Sequence, residues 1–336
     1  MKFDISSRKS RFLLWGYILL ATFLLRSVFF FQHINSPLSL HTPVTIEVSS
    51  GTTFNSLVTR LADQDIITSP LDVRFYGRMT GLADDIRAGD YRLQPGMNAR
   101  DLLMKLVAGD TILYQLVIVE GWNLQQALAA IQANEFIETT FDRTDKATLQ
   151  ALFNTDFYPE GLLFPDTYHF ERGTSDREIL SRASTLMTRV LEEEWSSRDV
   201  GLPYDTSYEA LVMASIVEKE TGLASERQQI AGVFVRRLQQ RMRLQTDPTV
   251  IYGLGESFDG DLTRADLRAP SPYNTYLING LPPTPIALPG RAAIHAAMHP
   301  DDSDTLYFVA RGDGGHYFSS TLEEHQAAVD QYQLGN

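Results

Sequence analysis

The sequence contains no cysteine in 336 residues. A disulfide framework, a thiolate nucleophile and a cysteine-ligated zinc or iron–sulfur site are therefore excluded. It also lacks a serine-nucleophile motif and a phosphate-binding glycine loop, since the glycine-rich stretch at 312–315 stands in a predicted hairpin and not ahead of a helix. No internal repeat or low-complexity tract is visible. The groups left for chemistry are carboxylates and polar, aromatic loops.

The chain has little positive charge outside its start. Its net charge is −13, yet the first 11 residues carry +3, which leaves −16 on the remainder. An acidic body is a poor partner for nucleic acid, whose binding depends on neutralising phosphates. Hydrophobic residues make up 43% and charged residues 21%, the composition of a folded globular protein, and the length predicts two or three units.

One long apolar run follows the basic start, from Phe12 to Phe31. Its rise of about 30 Å matches the hydrocarbon core of a bilayer. The bulky residues at 27–32 disfavour signal-peptide cleavage, and a buried core helix is the alternative that length and flanking charge oppose. The positive flank predicts a cytoplasmic tail at 1–11, an uncleaved transmembrane anchor at 12–31 and an extracytoplasmic chain from a linker at 32–43 onward.

The remainder predicts an α+β protein. A strand at 44–48, a Gly-Thr helix cap, a helix at 54–62 and a second helix at 70–79 resemble a LysM module, a small fold that binds N-acetylglucosamine-containing glycans; a structural spacer is the alternative. We predict this small α+β module over 44–120. A helical and loop region at 121–205 is expected to contribute to a cleft, and a mixed α+β catalytic domain to occupy 206–336.

The stretch from Leu211 to Thr221 is the centre of the predicted catalytic domain. Residues 211–217 are apolar all round, which predicts a helix buried in a large core. Glu218 ends this run, so loss of hydration should raise its pKa and keep a proton available for general acid catalysis. Glu220 points about 200° away around the helix and cannot share its face. Ordinary surface carboxylates at a helix end are the alternative.

The loops after this helix are rich in Tyr, Asn, Gln and Thr, side chains that stack on sugar rings and pair with sugar hydroxyls. His295 and His299 have helical i, i+4 spacing, but without a third ligand we predict no metal site and no cofactor.

These motifs together resemble the endolytic murein transglycosylases of the MltG or YceG-like family. The matching stretches are ASIVEKET (214–221), SER (225–227), RLQTDPTVIYG (243–253), YNTY (273–276), GLPP (280–283), PG (289–290), FVA (308–310), GH (315–316), EGW (120–122), EG (160–161) and PDTY (165–168). One departure is Thr284-Pro285, where the family pattern leads us to expect glycine after the two prolines.

The resemblance implies that Glu218 is the catalytic acid. It further implies substrate contacts from Gln245, Thr246, Asp247, Tyr252, Tyr273, Asn274 and Glu160. The implied reaction is cleavage of the N-acetylmuramic acid–β-1,4–N-acetylglucosamine bond inside peptidoglycan strands, leaving a 1,6-anhydro end. One carboxyl group suffices, because it can protonate the leaving oxygen and then take a proton from the muramoyl 6-hydroxyl.

The implied setting is the bacterial inner membrane, beside peptidoglycan synthases of the penicillin-binding type. Two alternatives stay open. The first is a non-enzymatic glycan-binding scaffold. The second is a hydrolytic muramidase, which needs a second carboxylate, for which Asp247 or Glu160 are the candidates.

Overall fold

The computed structural model describes residues 8–143 and 145–335, so most of the predicted cytoplasmic tail lies outside the described residues. The chain divides into two compact units. The first comprises 1–114 with 171–173, and the second comprises 115–170 with 174–336. Both mix helices with short strands, and the described strands form four two-stranded sheets, which confirms an α+β architecture.

The first unit begins with a long helix, α1 (Arg8–Asn35). Its segment Arg11–Asn35 is long and apolar enough to cross a membrane. Most of its large apolar side chains are exposed, whereas Phe30 and Ile34 are buried in the core of this unit. Arg26, a charged residue within this segment, forms an ion pair with Asp72.

The rest of the first unit contains a strand–helix–helix–strand arrangement, of which the first strand and the two helices were predicted. The strands β1 (Val44–Val48) and β2 (Gly89–Leu93) pair antiparallel, with Ile46 opposite Tyr91. Thr53 caps the following helix through its side chain. The helices are α2 (Phe54–Asp63), α3 (Pro70–Thr80) and α4 (Ala99–Ala108). Their inward apolar residues cover one face of the small sheet, while the resemblance to a LysM module stays a prediction.

The second unit is mostly helical. Its sheets pair β3 (Tyr114–Val117) with β5 (Thr167–Phe170), β4 (Ile137–Glu138) with β6 (Thr174–Ser175), and β7 (Tyr307–Ala310) with β8 (His316–Ser319). Its helices are α5 (Leu124–Ala133), α6 (Lys146–Phe153), α7 (Asp176–Ser197), α8 (Ser207–Glu220), α9 (Arg227–Gln239), α10 (Asp247–Leu254), α11 (Arg291–Met298) and α12 (Leu322–Tyr332), with 3-10 turns at Gly255–Ser257 and Asp266–Arg268.

Helix α8 lies at the centre of this unit, as its all-round apolar sequence predicts. Every residue from Ala210 to Val217 is buried. Thr206 and Glu209 form a reciprocal capping box at its start. Helices α7, α9, α10 and α11 pack around it. Because α7 packs directly on α8, both sides of the boundary predicted near residue 205 lie within one unit.

Candidate active site

Glu218 emerges at the end of α8, where the buried run stops, and its side chain is half-buried. Its Oε2 accepts a hydrogen bond of 3.1 Å from the backbone N–H of Gly290, which is the N-cap of α11. Burial raises the pKa of Glu218, and the charge of Glu120 raises it further, while the Gly290 N–H, Arg227 and Lys219 lower it. Both protonation states of the Glu218 side chain are therefore stabilised by neighbouring groups. A group that gives up a proton and then recovers one needs this.

Glu120 is a second carboxylate beside Glu218. Two backbone hydrogen bonds fix its loop, from Gly121 N to Leu288 O (2.9 Å) and from Leu288 N to the oxygen of residue 122 (2.6 Å). A Cβ added to Gly290 would lie 1.9 Å from Glu120 Oε1, so the Glu120 carboxylate occupies the space of a missing side chain. Two carboxylates thus border one glycine.

The loop that carries Gly290 is tied to α8 from inside the core. Ser215 donates its hydroxyl to Val212 O (2.7 Å) and accepts the Ile286 N–H (3.0 Å). Ser215 and Ile286 are both buried, so this pairing satisfies a backbone group that water cannot reach. The loop is therefore held in place one turn before Glu218.

Glu160 lies in a separate, buried cluster. It is 1% exposed, and its oxygens accept from Leu124 N (2.8 Å), Gly161 N (3.3 Å) and the Tyr252 hydroxyl (3.0 Å). Burial raises the pKa of Glu160 to about 7 despite these hydrogen bonds. Glu160 and Tyr252 thus hold loops together in the structure, and their predicted substrate contacts stay predictions.

Glu220, on the other side of α8, contacts the loop at 245–247, which we expected to lie near Glu218. Thr246 is buried and donates its hydroxyl to Glu220. Gln245 is exposed with a left-handed backbone (φ 52°), and Asp247 accepts from the Tyr276 hydroxyl at 2.6 Å. Burial raises the pKa of Glu220 to about 7.

A cavity of about 500 Å³ is lined by Glu220, Gln245, Asp247 and Tyr276 among others, and Glu218 is not one of its lining residues. Gln245, Thr246 and Asp247 are therefore brought together with Glu220, and the structure does not bring them to Glu218.

Comparison with known proteins identifies the family. Residues 46–331 match the model of the YceG-like family. The chain belongs to the YceG-like family. It is 35% identical over 309 residues to an endolytic murein transglycosylase of Bacillus subtilis (strain 168), a match that covers 87% of this chain and 85% of that protein.

Two further relatives agree with this membership. An endolytic murein transglycosylase of Streptococcus pneumoniae (strain D39) is 29% identical over 324 residues, and the match covers 86% of this chain but 58% of that longer protein. The crystal structure of a putative YceG-like protein from Listeria monocytogenes shares 34% identity, with a TM-score of 0.54 over 85% of this chain and 98% of its own.

The Tyr-Asn loop of this YceG-like chain is held by its own hydrogen bonds. The Asn274 amide is 1% exposed and donates towards the carbonyl oxygens of residues 266, 267 and 269 at 2.9–3.3 Å. The Tyr273 hydroxyl lies 2.8 Å from that of Thr284, the residue that departs from the expected pattern. The Tyr273 ring also stands edge-on to Tyr252, 4.9 Å away. Substrate contacts for Tyr273 and Asn274 stay predictions.

The His295–His299 pair has a third partner that the sequence did not reveal. Glu194 of α7 brings a carboxylate oxygen within 4.8 Å of nitrogens from both rings. His295 Nδ1 lies 2.8 Å from Glu194 Oε2, and Arg291 Nη1 lies 3.2 Å from Oε1. Because Arg291 already supplies a positive charge to Glu194, we assign this cluster to an ion-pair network between α7 and α11.

Glu120 is the group that sequence reasoning missed. The EGW motif was visible in the sequence, yet its acid had no assigned role, because nothing local connects position 120 with positions 218 and 290. The sequence offered only the Pro-Gly pair at 289–290, and the structure shows that the φ of Gly290, −75°, does not itself require glycine. Its missing side chain leaves room for the carboxylate of Glu120.

Proposed function

We propose that this chain is a lytic transglycosylase that acts on peptidoglycan. It cleaves the N-acetylmuramic acid–β-1,4–N-acetylglucosamine bond within glycan strands and leaves 1,6-anhydromuramoyl ends. The observation that carries the proposal is Glu218, a half-buried carboxyl group with a raised pKa at the end of a core helix, paired with a backbone N–H. Relatives named endolytic murein transglycosylase support the same reaction class.

In the proposed mechanism, protonated Glu218 gives its proton to the glycosidic oxygen as the bond to the anomeric carbon breaks. The resulting carboxylate takes the proton of the muramoyl 6-hydroxyl while that oxygen attacks the anomeric carbon. Each step leaves atoms and charge balanced, and no water is consumed. The Gly290 N–H stabilises the carboxylate stage, and burial favours the protonated stage.

Glu120 has two proposed effects. Its negative charge keeps Glu218 protonated at higher pH, and it faces the positive charge that develops at the anomeric carbon. It also makes a hydrolytic muramidase the second candidate, since hydrolysis requires a second carboxylate near the acid. Glu160 is enclosed by hydrogen bonds and Asp247 lies with Glu220, so Glu120 replaces both as the candidate second carboxylate.

The proposed setting is the inner membrane, with α1 as a single-pass anchor, the N-terminus in the cytoplasm and both units in the periplasm. Cleavage there would end the growth of nascent strands, with peptidoglycan synthases as partners. A LysM-like role for the first unit would add glycan affinity.

The test is product analysis with purified full-length protein and uncrosslinked glycan strands. We expect mass spectra of the wild-type reaction to show internal cleavage products that carry anhydro ends. The spectra of the Glu218→Gln reaction should show none. Products heavier than the anhydro products by the mass of one water would instead identify the protein as a hydrolytic muramidase. Glycan binding without cleavage by the wild type assigns the scaffold.

A further inference from the structure

Helix α3 carries an exposed apolar stripe on the first unit. Leu71, Phe75 and Met79 recur at every fourth position and are 71%, 58% and 59% exposed. These three residues define the α3 face. The opposite side of α3 is buried, with Val73 and Gly77 inside the core. Three large apolar side chains on one face form a patch of the kind that marks an interaction surface.

The α3 face adjoins the outer part of α1. The ring of Phe75 packs edge-on against that of Phe30, with centroids 5.4 Å apart. Asp72, one residue after Leu71, pairs with Arg26 and lies 2.6 Å from His33 Nδ1. These contacts hold the first half of α3 against residues 26–33 of α1.

The length of α1 indicates how deep in the bilayer the contact between Phe30 and Phe75 lies. Phe30 follows the start of the apolar run at Phe12 by a rise of about 27 Å, while a bilayer core is about 30 Å thick. Phe30 therefore lies close to the outer boundary of the hydrocarbon. Phe29 and Phe31 beside it are 47% and 62% exposed, so they extend the apolar surface of α1 to the α3 face.

The ion pair joins an exposed Arg26 to a buried Asp72 and is suited to such a position. Burial opposes ionisation of Asp72, but hydrogen bonds from Arg26, His33 and Ser69 outweigh it and lower the pKa of Asp72 to about 2. Neutralising Arg26 within the protein removes the cost of leaving its charge at the level of the acyl chains. The two helices can then meet lipid with their remaining apolar residues.

We propose that the α3 face lies in the outer interfacial layer of the bilayer that α1 spans, where lipid covers Leu71, Phe75 and Met79. This inference rests on the proposed membrane anchor. It goes beyond anchoring, because lipid on the α3 face adds a second contact between the first unit and the membrane. A second contact fixes the tilt of the first unit on the membrane.

The absence of native cysteine allows a direct test. Single cysteines are introduced by Leu71→Cys, Phe75→Cys and Met79→Cys in the full chain, which is spin-labelled and reconstituted in nanodiscs of phosphatidylethanolamine and phosphatidylglycerol. The matched control is Thr80→Cys, the exposed last residue of α3, which lies about 140° around the helix from the centre of the α3 face. Leu19→Cys, 67% exposed on α1, serves as the lipid reference. Accessibility to oxygen and to a water-soluble nickel complex is measured at each position.

The expected result is preferential oxygen access for labels on the α3 face, at a depth of about 5–10 Å into the headgroup boundary, with Thr80→Cys open to the nickel complex. Nickel access at two or more α3-face positions equal to that of Thr80→Cys overturns the proposal. Shielding from both reagents also overturns it, since a protein surface and not lipid then covers the face. A water-exposed label at Leu19→Cys refutes the anchor itself, which separates that failure from failure of the α3 face.

Discussion

The carboxylate of Glu120 fills the space that a side chain at Gly290 would need, and the backbone N–H of that same glycine donates to Glu218 at 3.1 Å. One residue without a Cβ therefore lets two carboxylates approach each other from separate parts of the chain. Their electrostatic coupling is the basis for the predictions on catalysis.

Glu218→Gln should lower turnover at least about 100-fold, because an amide cannot donate and then recover a proton. Glu220→Gln is the matched control, since Glu220 lies two residues away, is partly buried like Glu218 and has a pKa raised to about 7. We expect Glu220→Gln to retain turnover within a few-fold. Steady-state rates on glycan strands and melting temperatures measure both. The opposite ranking of the two variants would transfer the catalytic role to Glu220 and its cavity.

Glu120→Gln should move the basic limb of the pH profile of kcat/KM to lower pH. A general acid must be protonated, so activity falls as pH rises through its pKa, and the Glu120 charge raises that pKa. Lys219→Gln should move the same limb to higher pH, because the Lys219 charge lowers the pKa of Glu218. Carboxyl titration of Glu218 by NMR in both variants gives an independent measurement. If the basic limb of the pH profile does not shift in either variant and both variants are well folded, the charges of Glu120 and Lys219 do not affect the pKa of Glu218.

Glu160 should make the folded protein less stable as pH rises. Its pKa is raised from 4.5 to about 7 in the folded state, so its favourable contribution is fully present below about pH 4.5 and disappears as pH rises through about 7. The loss amounts to about 3 kcal/mol at most. Denaturant unfolding of wild type and Glu160→Gln at pH 5 and pH 8 checks this. The Gln variant should show the smaller difference between the two pH values, and equal differences would mean that Glu160 ionises normally.

Asn274→Ala and Gln245→Ala should separate a turn-holding amide from an exposed one. The Asn274 variant loses hydrogen bonds from a buried amide to three backbone carbonyl oxygens, so we expect it to lose about 1–3 kcal/mol of stability. Gln245 is exposed, and its variant should melt like wild type. A matching loss of kcat and kcat/KM in Gln245→Ala would identify a contact made in the transition state. Full stability in Asn274→Ala would contradict the role assigned to its amide.

A reporter fused after Asn336 should be active only outside the cytoplasm. Lys2, Arg8, Lys9 and Arg11 give the start of the chain the positive charge that keeps it inside. Alkaline phosphatase and green fluorescent protein fusions, which function on opposite sides of the membrane, measure this in cells. Fluorescence without phosphatase activity would place the catalytic unit away from peptidoglycan.

Local patterns predicted much of this fold. The all-round apolar run before Glu218 predicted the buried α8, the strand pattern at 44–48 predicted β1, and the Gly-Thr cap predicted the start of α2. Helix α10 was not predicted, because the polar residues around Thr246 and Asp247 resemble a loop and Pro248 disguises the first turn. Proline is tolerated there, since the first-turn N–H groups lack helical partners.

The grouping of the site residues was harder to predict. Helical geometry correctly separated Glu218 from Glu220, but it does not say which loop packs on which side of α8. That choice depends on contacts between distant positions, such as Thr246 with Glu220 and Gly290 with Glu218. Glu120 was missed for the same reason.

The pairing of residues 121–122 with Leu288 also bears on biosynthesis. Synthesis from the N-terminus produces Glu120 first, then α8, and the loop of Gly290 last of the three. Until that loop packs against α8, Glu218 has no hydrogen bond from the Gly290 N–H, and the carboxylate of Glu120 has no contact with Gly290. A partly synthesised chain therefore carries Glu218 without these partners, and the complete arrangement forms only after residue 290 has been added.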